Sequence, residues 1–329
     1  MTRVTATGLV LVAAFGLLAH AQQPQRPTFR STASGVLVNA FVLKANVRSP
    51  MPVDGLTSAN FELLDNGVTQ TVDATPATGP IDLTVVVDGG GDAVRYYDEF
   101  RQTVRELAST LQPADRIRVL VCSGVVREAV PLQAASAPLA VDAIGQPNAP
   151  YGPALVHGLF DAMAREVDPE RREVILGLGT FTGRDIFSPT ALVSVASATD
   201  AVVYVAVEPT GTPIFPDVFQ ALGQIVSTTG GALMLAVEPG AGGRLPLTFR
   251  LPPLYGRHPD DGLPIAFKHL SEVMAMVLMD LRHGYVLSYS PPGGTTPGWH
   301  TLTVRVHKPG PDTFVVRARR RYFATPGGP

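Results

Sequence analysis

Two carboxylates, Asp88 and Asp92, flank the triplet Gly89-Gly90-Gly91 at the point where an apolar run over residues 81–87 stops. Acidic oxygens on a tight glycine turn suit three kinds of work: ligating a hard divalent cation, accepting a partner's donors, or capping the amides of the turn itself. The apolar run reads as a buried central strand. Ligands of open α/β sheets sit in the crevice at the carboxyl ends of such strands, which is where Asp88 falls. A dinucleotide loop does not fit, because the third glycine of G-x-G-x-x-G would fall at Val94. No Walker A sequence, G-x-S-x-G elbow or His-Glu-x-x-His occurs. His157, His258, His269, His283, His300 and His307 are scattered without ligand spacing and read as surface or packing residues. No residues assemble a catalytic apparatus, so the expectation is a protein that is not an enzyme, with a hydrolase of unrecognised chemistry as the remote alternative.

The elements that must hold this turn follow from periodicity. Helix-period segments at about 94–111, 153–166, 189–198 and 216–228 interleave with apolar runs at 117–121, 174–178, 201–207 and 232–237. That alternation predicts a mostly parallel sheet flanked by helices on both faces, a Rossmann-like α/β domain over 80–245. A loop and closing helix occupy 246–283; the helix, at about 265–282, carries Phe267, Leu270, Met274, Val277, Leu278 and Leu281 on one stripe. Before this domain, residues 22–79 read as short strands with a strong hairpin signal at Asp65-Asn66-Gly67. After it, 284–329 holds Tyr285-Val286-Leu287-Ser288-Tyr289 and the alternating stretch His300-Thr301-Leu302-Thr303-Val304-Arg305-Val306. A few strands make a poor core alone, so the two ends are expected to pair into one small antiparallel β-sandwich, with the α/β domain inserted.

The chain has 329 residues, 45% hydrophobic and 16% charged, enough to bury one large core or two modest ones and too apolar for general disorder. Met1-Thr2-Arg3, an apolar run at 9–18 and Ala19-His20-Ala21 predict a cleaved signal peptide over 1–21 and a secreted or periplasmic bacterial protein. No later stretch is long and apolar enough to predict a transmembrane segment. Removing Arg3 with the peptide moves the formal net charge from -2 to -3, which excludes nucleic acid as the main partner. The single cysteine, Cys122, sits against an apolar run and excludes a disulfide framework. Arg317, Arg319, Arg320 and Arg321 offer a basic stretch for an anionic surface, or else solvated arginines on a terminal strand. The patternless stretch at 251–262 is a mobile loop or a binding surface, with Tyr255 and Arg257 its best contacts.

Several stretches in order resemble the von Willebrand factor A (VWA) superfamily, and within it the exported "VWFA-related domain" proteins of acidobacteria. They are Pro52-Val53-Asp54-Gly55-Leu56-Thr57, Phe61-Glu62-Leu63-Leu64-Asp65-Asn66-Gly67, Asp82-Leu83 to Asp88, Leu111-Gln112-Pro113-Ala114-Asp115-Arg116, Thr229-Gly230-Gly231, Leu281-Arg282 with Tyr285, Tyr289 and Pro291, and Arg317-Ala318-Arg319 with Tyr322. The resemblance implies a site at which metal-binding members hold a divalent cation with Asp-x-Ser-x-Ser, a threonine from a second loop and an aspartate from a third. Here Gly90 and Asp92 stand where the serines belong, Pro153 where the threonine belongs and Thr182 where the third-loop acid belongs. The implied metal-ion-dependent adhesion site is therefore degenerate. No cofactor is expected; if Mg²⁺ or Mn²⁺ binds, Asp88, Asp92 and Asp185 are its ligands. The expected function is a protein-interaction or adhesion module with Asp88, Asp92, Thr182, Asp185, Tyr255 and Arg257 as contacts for a protein partner.

Overall fold

A computed structural model describes residues 31–32, 35–44, 51–145, 155–166, 168, 170–180, 189–208, 216–236, 265–292 and 296–324. The expected signal peptide, the second-loop Pro153, the third-loop Thr182 and Asp185, and Tyr255 and Arg257 lie outside the described residues.

Seven strands form the central sheet, in the spatial order Ile265–Phe267, Leu233–Ala236, Val202–Glu208, Arg172–Thr180, Ile81–Asp88, Arg116–Ser123 and Val125–Ala134. Six run parallel and the last pairs antiparallel. Helices α1 (Tyr97–Thr110), α2 (Leu155–Met163), α3 (Pro189–Ala198), α4 (Pro216–Thr229) and α5 (Leu270–His283) cover it. Strand side chains alternate between the two faces. Leu83, Val85 and Val87, with Val202, Tyr204 and Ala206, pack against Phe100, Val104 and Leu107 of α1 and Val273, Val277 and Leu281 of α5. Val86, with Val203, Val205 and Val207, packs on the other face against Leu155 of α2, Leu192 of α3 and Phe219 of α4. The parallel sheet with helices on both faces is the architecture the periodicity predicts.

Two strands depart from the expectation. Val125–Ala134 reads poorly as a strand because Arg127, Glu128 and Pro131 interrupt its alternation, yet as a sheet edge it tolerates charge and proline. Ile265–Phe267 is a strand rather than the first turn of the closing helix: His269 is extended (φ -134, ψ 143) and the helix starts only at Leu270. Phe267 is buried from that strand.

The two ends of the chain interleave. Gly35–Lys44 pairs antiparallel with Tyr285–Tyr289 and Phe314–Ala318, and Phe61–Asp65 pairs with Gly298–Val306. The hairpin at Asn66 and Gly67 has positive φ at both residues (49 and 81), as a tight two-residue turn requires. Residues of both antiparallel sheets, among them Val36, Val38, Leu63, Leu287 and Leu302, share one apolar cluster. Within it Asp65 accepts Tyr289 Oη (2.8 Å) and Tyr322 Oη (3.2 Å) and lies 2.7 Å from His300 Nδ1. His300 Nε2 lies 2.7 Å from the Thr296 carbonyl. Both ring nitrogens thus lie within hydrogen-bond reach of oxygens.

The arginine run is corrected by this packing. Arg317 is tied to the buried Asp280 of α5 at 2.6 and 2.7 Å and lies over the Phe41 ring. Arg319 is only 3% exposed and donates to the Ala196, Ser197 and Thr199 carbonyls at the end of α3, where a cation complements the helix dipole. Burial pulls its pKa down to about 10. Arg317 and Arg319 are therefore fasteners between the C-terminal strands and the α/β layers rather than contacts for an anionic surface. Arg321 already stacks on Trp299.

Candidate functional site at the carboxyl edge

Asp88 ends the Ile81–Asp88 strand and is fully buried. One carboxylate oxygen accepts the Gly90 amide at 2.9 Å; the other accepts the Thr180 amide at 3.3 Å and its hydroxyl at 3.4 Å. The Gly89 amide donates to the Cys122 carbonyl of the neighbouring strand at 2.9 Å. These contacts need close approach: a Cβ on Gly179 would lie 2.7 Å from Asp88 Cβ. Asp88 thus staples the glycine turn to the adjoining Arg172–Thr180 strand. The Cys122 side chain is buried in the apolar layer, as expected.

Asp92 lies in the short 3-10 turn Gly91–Tyr96 that leads into α1, 3.8 Å from Arg95. It sits on the turn without converging on Asp88 into a ligand set. Among the described residues no three His, Cys, Asp or Glu side chains are grouped to hold a metal ion. The donor chemistry agrees: Gly90 brings no ligating side chain, and Asp88 already accepts protein donors on both oxygens. The described residues do not fit the implied divalent cation.

Thr180 and Glu208 are functional-edge residues that the sequence reading did not single out. They are register partners on adjacent parallel strands. Glu208 closes the Val202–Glu208 strand and is 9% exposed. By alternation it follows Val202, Tyr204 and Ala206 toward α1, whereas Asp88 follows Val86 toward α2. The two acids therefore leave opposite faces of the sheet. Burial, reinforced by the negative charge of Glu99, pushes the Glu208 carboxyl up to about 7. Tyr96 at the start of α1 feels the same charge, and its hydroxyl pKa is raised by burial first and by Glu208 next. A signal existed: residues 201–207 are an apolar run closed by an acid, the same grammar that marked Asp88.

No protein-family model and no curated protein sequence matches the chain. Among solved structures it is similar to a von Willebrand factor type A protein from Catenulispora acidiphila, at 12% identity over 83% of this chain and 75% of that one, with TM-score 0.44. It is similar to proximal thread matrix protein 1 of the mussel byssus with a zinc-occupied MIDAS motif, at 12% identity over 66% and 49%, TM-score 0.42. A third likeness is to the SpRpn10 VWA domain, at 10% identity over 44% and 82%, TM-score 0.35. The chain spans 43%, 51% and 49% of the three mussel structures, about half their length. These likenesses concern fold and transfer no residue roles. The mostly parallel sheet with helices on both faces stands on the chain's own strand order and packing. No described helix is long and apolar enough to cross a membrane.

Proposed function

We propose that this chain is an exported, non-enzymatic protein-interaction module that holds its partner at the carboxyl edge of the parallel sheet without a metal ion. The observation that supports this most is the condition of Asp88. Buried and matched by three protein donors, it acts as an internal cap, so the edge is preformed as a surface rather than open as a coordination sphere. The terminal sheets, in this reading, form a β-sandwich platform at 22–79 and 284–329, with the α/β domain at 80–245 and the closing segment at 246–283. Fold alone names no partner, and interaction is the function class this reading assigns to the edge.

The test is calorimetric titration of Mg²⁺, and separately Mn²⁺, into EDTA-stripped protein beginning at residue 22, with Asp92→Ala as control. The expected result is no saturable heat. Saturable binding in the micromolar-to-millimolar range, lost in Asp92→Ala, would replace this reading with a Mg²⁺-dependent receptor using Asp88, Asp92 and Asp185.

A further inference from the structure

The buried aspartates among the described residues are each matched by donors. Asp65 receives Tyr289 and His300, Asp82 receives Arg116 and Arg171, and Asp115 receives the Ile81 amide and Arg282. Asp280 receives Arg317, and Asp88 receives the amides described above. Glu208 differs from these aspartates: it is only 9% exposed, and no hydrogen bond from the described residues reaches its carboxylate. The charge that acts on it is that of another acid, Glu99. A largely buried carboxylate beside a like charge is costly to keep ionised in a folded protein. The only basic side chain nearby on that turn, Arg95, is directed to Asp92 and contributes nothing at Glu208.

We infer that Glu208, Glu99 and the Tyr96 ring form the acceptor for a basic side chain, an arginine or lysine, presented by the protein partner. This rests on the interaction reading above and names the chemistry of its edge. Alternation along the Val202–Glu208 strand turns the Glu208 side chain toward α1, where Tyr96 is half-buried and Glu99 is exposed at the rim. A cation entering there forms charge-assisted hydrogen bonds with a carboxylate that is already largely buried. The Tyr96 ring supplies a π face on which a guanidinium stacks. A divalent ion is the poorer occupant, because it collects six or more oxygens and the described residues offer no group of three acids or histidines.

The experiment uses the same protein carrying ¹³C-labelled glutamate carboxyls, titrated with N-acetylarginine amide in low salt. The expected result is a saturable shift of one carboxyl resonance, identified as Glu208 by its absence in Glu208→Gln. N-acetylcitrulline amide, which keeps the shape and loses the charge, is expected to leave it in place. Tyr96→Leu is expected to weaken the response about threefold. Circular dichroism and melting of both variants establish that they fold. No saturable shift, an equal shift with the citrulline probe, or saturation of the same resonance by Mg²⁺ alone would each overturn the assignment. The two readings fail separately: calorimetric Mg²⁺ binding lost in Asp92→Ala overturns the metal-independent module even if the arginine titration succeeds. A silent Glu208 with no Mg²⁺ binding overturns only the acceptor.

Discussion

Asp88 and Glu208 each close a buried parallel strand, at the same edge of the same sheet, yet their circumstances are opposite. Asp88 is enclosed by the Gly90 amide and by Thr180, while Glu208 feels the negative charge of Glu99 and accepts no hydrogen bond from the described residues. The difference is one of local backbone. Asp88 is followed by three glycines, which fold the chain back so that an amide two residues on points at its own carboxylate. Glu208 is followed by Pro209, which has no amide hydrogen to give. At Asp88 the strand-end acid is structural because the turn that follows satisfies it.

The most severe way to break this contrast is to manufacture a second unmatched acid. Arg317→Met strips Asp280 of its charged partner in the interior, and the expected loss is about 3 kcal/mol of unfolding free energy in urea at neutral pH. A change below about 1 kcal/mol would mean that a buried, unpartnered carboxylate is cheap here, and Glu208 would then need no explanation.

Removing the satisfied acid comes next. Asp88→Ala orphans the Gly90 and Thr180 amides and is expected to cost about 2 kcal/mol, equally in EDTA and in Mg²⁺. A larger loss in Mg²⁺ than in EDTA would show that the side chain had been serving a cation.

The last effect has the opposite sign and is confined to high pH. Glu208 holds its proton up to about pH 7 when folded, against an ordinary value of 4.5. The folded state therefore binds more protons than the unfolded chain between those values, so this group's contribution falls as pH rises through the window and stays lost above it. Glu208→Gln is expected to stabilise the protein by about 2 kcal/mol at pH 8 and to leave it unchanged at pH 4. Parallel urea curves at the two pH values check this; equal effects at both would remove the titration from the explanation.

What the sequence discloses here is whatever is local or periodic. The apolar runs and helix stripes fixed the layered sheet, and Asp65-Asn66-Gly67 announced its hairpin because both turn residues favour positive φ. Edge strands were hidden: Val125–Ala134 carries charges and Pro131, and Ile265–Phe267 is too short to show a period. The arginines at 317 and 319 read as surface because their partners, Asp280 and the end of α3, are supplied by distant helices. Asp88 was legible as a strand-end acid, but Thr180, which helps to enclose it, comes from another strand. Glu208 carried the same strand-end signal in its own segment, but Glu99, whose charge acts on it, comes from α1.

The pairing of the two chain ends has a consequence for biogenesis. Asp65 and His300, which meet in the shared apolar cluster, are 235 positions apart. A polypeptide that emerges from its amino end must keep Gly35–Lys44 and Phe61–Asp65 waiting, with Val36, Val38 and Leu63 uncovered, until almost everything else has been made. Such long-range closure is slow and leaves adhesive strands unpaired in the interval. The first strands to appear are among the last to find their places, and holding them apart in the meantime is work for chaperones.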